Sequence, residues 1–101
     1  MVKEGRGCEL KGFLTFLVLK LIAQKERCGE EIRQEIEKRR GTRPSPGTIY
    51  PVLKQLVANG LIEEQPCEGK EKRYRVTTLG KREAKIATEQ FNKMFSDLLD
   101  V

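Results

Sequence analysis

Residues able to do acid–base or covalent chemistry are few in this chain and poorly spaced for it. Glu31 and Glu35 come nearest: four residues apart, they share one face of a predicted helix, where a carboxylate pair could trade a proton. The chain contains no histidine, and neither a nucleophile nor a metal ligand accompanies the pair, so both are read as a solvated charged face. Cys8, Cys28 and Cys67 are odd in number and far apart. That excludes the closely paired ligands of a zinc site and the even count of a secreted disulfide framework, and it points to a reducing cytoplasm. A redox role for Cys67 would need a lowered pKa and a resolving thiol, so it is read as an incidental surface cysteine. No cofactor and no enzymatic activity are expected.

Hydrogen-bonding groups, by contrast, are concentrated between Ser45 and Ile62. Ser45 is a predicted N-cap whose hydroxyl accepts from an unpaired backbone N–H, and Pro46 suits the first helical position, where no donor is needed. Ile49, Leu53, Leu56 and Val57 share one face at helical spacing. Thr48, Tyr50, Lys54, Gln55 and Asn59 lie elsewhere, and all can hydrogen-bond. Gly60 is placed to end the helix in the left-handed conformation, with Leu61 folding back on Leu56. Pro51 lacks the donor that should pair with the Gly47 carbonyl, which predicts a late or slightly distorted first turn. The apolar face alone would describe an ordinary amphipathic core helix.

The surrounding charge decides between the two readings. The 101 residues carry a formal net charge of +5, with 38% hydrophobic and 35% charged residues, as suits one small domain with a modest core. Residues 1–37 hold seven Lys/Arg and seven Glu, residues 38–82 eleven Lys/Arg and four Glu, and residues 83–101 two Lys and four acids. The positive excess is confined to the marked helix and the hairpin segment after it, the footprint of a nucleic-acid surface.

The elements that must position this helix are set by periodicity. Met1–Glu9 reads as a mobile arm. From Leu10 to Gln24, the residues Leu10, Phe13, Leu14, Leu17, Val18, Leu21 and Ile22 form a helical stripe that Phe16 and Leu19 widen, which suggests burial on two sides. Lys20 interrupts this apolar stretch, which is too short to span a bilayer, so no membrane association is expected. Lys25–Arg27 reads as a turn. Gly29–Arg40 reads as a second helix with Ile32 and Ile36 inward, acids in its first turn and bases in its last. Gly41–Pro44 then turns the chain into the marked helix, giving a helix-turn-helix.

Leu61–Gln65 and Lys72–Thr77 read as two strands of a basic hairpin, with Tyr74 and Val76 on one side and Arg73 and Arg75 on the other. Thr77 is a predicted N-cap for a final helix on which Ala84, Ala87, Phe91, Met94, Leu98 and Val101 follow three-and-four spacing, flanked by Ile86, Phe95 and Leu99. That helix outruns the body beneath it, so its outer stripe calls for a partner. The expected fold is mainly α with a small β-hairpin: a winged helix-turn-helix over residues 1–77, with the wing at about 61–77, followed by a long dimerisation helix over 78–101.

The run Ser45-Pro46-Gly47-Thr48-Ile49-Tyr50-Pro51 with Leu53, Leu56, Gly60, Leu61 and Ile62, and the later Lys72-Arg73-Tyr74-Arg75-Val76-Thr77 with Gly80, resembles the PadR family of winged helix-turn-helix transcriptional regulators. Glu31-Ile32 and Ile36 fit the second helix of that family, and the resemblance covers nearly the whole chain. It implies a homodimer held by the final helix against the first helix of the partner, through Leu14, Ala87, Phe91, Met94, Phe95 and Leu98. It also implies double-stranded DNA as partner, in the form of a palindromic operator whose occupation usually represses transcription. A single C-terminal helix matches the compact branch of the family. Ser45, Thr48, Tyr50 and Lys54 then become phosphate or base contacts, and Lys70, Lys72 and Arg73 wing contacts. Arg43 joins them by charge and placement alone.

This chain departs from the family pattern in having Cys28 and Glu30 where aromatic or histidine residues are common, and in lacking the tryptophan of some drug-sensing members. Phe91, Met94 and Phe95 could line a pocket for a small apolar effector at the dimer interface, but they are read as packed interface. The competing functional reading is a winged helix that binds only protein.

Overall fold

The computed structural model describes residues 10–65 and 71–99. The expected arm at Met1–Glu9, together with Cys67, Lys70 and Val101, lies outside the described residues. The apolar stripe of the first helix, α1 (Leu10–Gln24), buries Val18, Leu19, Leu21 and Ile22, with Leu14 and Leu17 packed at the margin. Phe13, expected inward, is 56% exposed, while Leu19 is inside. The reason is tertiary, because α1 is contacted by three other elements rather than packed on one side.

Arg27 and Cys28, the former expected in a turn, form a short strand, β1 (Arg27–Cys28). Arg27 turns its side chain inward, where Nε donates to the Leu21 carbonyl at 2.8 Å and Nη2 to Gln24 Oε1 at 2.9 Å, closing the end of α1. α2 (Gly29–Arg40) comes at once, with Ile32 and Ile36 fully buried. Glu31 Oε1 accepts from the Cys28 N–H at 3.0 Å, satisfying a donor at the start of α2. Gly41, at φ 94°, ends it with an N–H donated to the Glu37 carbonyl.

α3 (Pro46–Ala58) begins where the proline predicts and runs unbroken through Pro51. The Ser45 hydroxyl does not cap a backbone N–H as expected; it pairs with Thr48 Oγ1 at 3.1 Å. The Ser45 carbonyl instead takes both the Thr48 and Ile49 N–H groups, at 3.0 and 3.2 Å, so the first turn is tightened by an i→i−3 bond. At the far end Gly60 adopts φ 77°, its N–H reaching Val57 O and that of Leu61 reaching Leu56 O, each at 3.0 Å, which is a Schellman motif.

β2 (Ile62–Gln65) and β3 (Arg73–Val76) form the hairpin, each strand slightly shorter than predicted. They pair antiparallel, from Ile62↔Val76 to Gln65↔Arg73, and β1 adds to the other edge of β3 through Arg27↔Tyr74 and Cys28↔Arg73. The wing is therefore part of a three-stranded sheet in the order β1–β3–β2.

α4 (Thr78–Leu99) starts at a junction built by Thr77. Its hydroxyl donates to the Gly60 carbonyl at 2.7 Å, with the Leu61 carbonyl within 3.1 Å, and accepts the Gly80 N–H at 2.9 Å. At about 33 Å for 22 residues, α4 buries Gly80 and Ala84 only; from Asn92 to Leu99 it is exposed. No described helix is long and apolar enough to cross a membrane.

Candidate nucleic-acid interface

The inner face of α3 fixes its outer one. Ile49, Val52, Leu53 and Leu56 are buried against the domain. Val52 thus takes the place given by periodicity to Val57, which is half-buried at the edge of the core. With that side anchored, Ser45, Thr48, Tyr50, Lys54, Gln55 and Asn59 are all exposed. Gln55 Nε2 donates to Asn59 Oδ1 one turn on, at 3.3 Å. Lys54 forms no ion pair among the described residues, so its ammonium is available to an anion.

Tyr50 is held more firmly than its neighbours. Its ring lies against Gly29 at the start of α2, in the space a β-carbon at Gly29 would need. Partial burial, with the Glu71 carboxylate nearby, pushes its phenol pKa above the usual value. Tyr50, Glu71, Lys72 and Tyr74 line a shallow cleft of about 280 Å³ between α3 and the wing. Lys72 and Tyr50, far apart in sequence, therefore share one concave surface.

The other predicted cations are engaged with carboxylates. Lys72 Nζ lies 3.4 Å from Glu64 Oε1 across the hairpin. Arg73 is half-buried and reaches Glu31 Oε1 at 3.3 Å and Glu26 Oε1 at 3.8 Å, tying β3 to the start of α2. Arg75 pairs with Glu63 at 3.1 Å. Arg43 Nε and Nη1 donate to Glu37 Oε1 (2.8 Å) and Glu30 Oε2 (2.9 Å), which raises its pKa further.

Glu31 and Glu35 hold the fold together rather than trading a proton. The Cys28 N–H, and then Arg73, hold the Glu31 carboxyl below the usual carboxylate range. Glu35 receives Lys38, Arg39 and, at 3.9 Å, Arg27. Burial pushes the Cys28 thiol up, away from the reactive thiolate. Glu30, Glu37, Glu71 and Gly29 were not singled out by sequence. Their partners lie across a loop or on another element, where periodicity carries no signal.

The residues assigned to a dimer lie along α1 and α4. Leu14, Ala87 and Phe91 are half-buried, while Met94 and Leu98 are 64% and 59% exposed and Phe95 is exposed beside them. Phe16, Phe91 and Phe95 form a continuous aromatic row, with centroid separations of 5.9 and 5.0 Å.

Residues 18–86 match the transcriptional regulator PadR-like family. The chain is similar to transcriptional regulator Rv3488 of Mycobacterium tuberculosis, 40% identical over 67 residues that cover 63% of this chain and 62% of that protein. It is 39% identical over 72 residues to transcriptional activator GvpE2 of Halobacterium salinarum. That match covers 71% of this chain but spans only about a third, 34%, of the activator's length. A solved PadR-like transcriptional regulator from Bacillus cereus superposes with a TM-score of 0.79 at 27% identity, over 90% of this chain and 92% of that one. The sequence match and the shared helix-turn-helix, wing and long final helix agree: this chain belongs to the PadR-like family of transcriptional regulators, a DNA-binding regulator and not an enzyme.

Proposed function

We propose that the chain acts as a homodimer that binds a palindromic operator and represses transcription by occupying it. The observation that carries this reading is the division of α3, apolar and locked inward by Ile49, Val52, Leu53 and Leu56, polar and open outward at Ser45, Thr48, Tyr50 and Lys54. α3 enters the major groove, and Lys72 approaches the adjoining phosphates from the wing beside it. Residues 1–77 supply DNA binding and residues 78–101 dimerisation, through the apolar face of α4 around Met94, Phe95 and Leu98. Two-fold symmetry then places the two recognition helices about one helical turn apart, roughly 34 Å. The site of action is the cytoplasm, with the DNA.

Activation is the second reading, favoured by the name of the activator GvpE2. Titrating the protein against its own upstream DNA and random duplex, each at two salt concentrations with stoichiometry followed, tests the proposal. Tighter binding of two subunits to the upstream fragment supports it. Weak, equal binding to every fragment in a genome-wide selection would favour a winged helix that docks protein.

A further inference from the structure

Arg43 leaves the chain two residues before Ser45, on the margin where α2 hands over to α3, yet its guanidinium bends back onto α2. Nε and Nη2 both lie 2.8 Å from Glu37 Oε1, and Nη1 lies 2.9 Å from Glu30 Oε2. All three guanidinium nitrogens are thus committed to two carboxylates. Glu30 is shared with Arg33, whose Nε is fixed on the Pro44 carbonyl at 2.8 Å, so the acceptor side of the cluster is anchored to the turn itself. The side chains of Arg43 and Glu37 are 39% and 42% exposed, so solvent and any approaching anion have access to them.

We propose that Glu30 and Glu37 determine specificity by withholding Arg43 from DNA phosphates in loose encounters and releasing it only when α3 is seated on a matching site. The inference rests on the DNA-binding reading above. A guanidinium between two part-exposed carboxylates is held modestly. A phosphate brought to hydrogen-bonding distance offers the same planar fork an equal or better acceptor, and takes it. Across a layer of water the screened attraction of a phosphate is weaker than a direct ion pair, and the two carboxylates repel it. Random duplex, bound loosely, is therefore denied one cation that a fitted site obtains. The result is a wider gap between specific and non-specific affinity, not tighter binding overall.

Glu37 is the residue to change, because among the described residues its carboxylate serves Arg43 alone. Affinities for random duplex and for a selected operator are measured over a salt series for the wild type, E37Q, R43A and the double variant. E37Q is expected to tighten random-duplex binding several-fold and to steepen its dependence of log K on log salt by about 0.9, the value of one more phosphate contact. Operator affinity should barely change, and the effect should vanish in the R43A background. Equal tightening on both DNAs, or tightening that survives R43A, would show a bare charge effect and overturn the proposal while leaving DNA binding intact. Thermal unfolding controls for the fold. R43K, which keeps the charge but cannot span both carboxylates, should also tighten random binding, and no change there counts against the proposal. Absence of salt-dependent binding by the wild type would overturn the DNA reading and this proposal together.

Discussion

The ring of Tyr50 covers the α-carbon of Gly29 so closely that no β-carbon fits between them. A glycine at the start of α2 thus sets the direction of a side chain on the recognition helix. Gly29→Ala forces the ring outward. Because the obstructing atoms are the far end of a partly exposed side chain, and alanine is the better helix former by up to about 1 kcal/mol, thermal stability should change little. DNA affinity should fall, and the fall should disappear when Gly29→Ala is made in a Tyr50→Ala background. An equal loss in both backgrounds would mean that Gly29 acts by some route other than Tyr50.

Gly80 presents the opposite case. A β-carbon there would strike the Leu61 carbonyl and Val76 Cγ2, backbone and packed side chain that cannot swing away. Gly80→Ala should cost about 3 kcal/mol, at the upper end for overpacking, read as a lower denaturation midpoint. Thr77→Val, which removes the hydroxyl that bonds Gly60 O and caps the Gly80 N–H, should cost about 1–2 kcal/mol.

These two glycines also mark what sequence makes legible. The bounds of α1 and α2, the N-terminal proline of α3 and its Schellman stop all arise from local signals, apolar spacing and a few cap residues whose conformations allow little choice. β1 does not, because two polar residues carry no alternation, and only the buried Arg27 and the free edge of β3 recruit them into the sheet. The outward residues of α3 were legible as the complement of its apolar face. The pairing of Arg43 with Glu30 and Glu37, and of Arg73 with Glu26 and Glu31, was not. An isolated arginine in a basic segment looks like a phosphate ligand until the fold brings carboxylates from another element to it.

Base reading and phosphate binding should separate by substitution. Thr48 stands exposed in the first turn of α3 and Lys72 on the wing. Thr48→Ala should cost roughly 1–3 kcal/mol at particular base pairs and relax preference there. Lys72→Ala should weaken all duplexes alike and lower the salt slope by about 0.9. Competition binding against a library of single-base operator variants distinguishes them, and a uniform loss for Thr48→Ala would remove it from the base-reading set.

Acid should loosen the junction between β1 and α2. The Glu31 carboxylate is held ionised by the Cys28 N–H and by Arg73, and its pKa lies below the ordinary 4.5. On acidification the unfolded chain therefore takes up the proton first. The contribution to stability is complete above about pH 4.5 and is lost as pH falls through the folded value. Glu31→Gln keeps an acceptor for the cap but has no proton to take up. Unfolding midpoints measured from neutral pH downward should fall more steeply for the wild type than for this variant, and parallel curves would assign the acid sensitivity to other carboxylates.

The far half of α4 tests the dimer. Met94, Leu98 and Leu99 are 64%, 59% and 67% exposed, an apolar face continuous with the aromatic row from Phe16 to Phe95. Because these side chains add almost nothing to the core of one subunit, Leu98→Lys and Met94→Lys should leave its fold and helix content unchanged. In a homodimer the same substitutions bury an unpaired ammonium at the interface, a loss of several kcal/mol that dissociates it. Sedimentation should show a dimer for the wild type and a monomer for the double variant, with operator affinity falling as two linked half-sites become one. A wild type that sediments as a monomer at micromolar concentration would assign this face to a different protein.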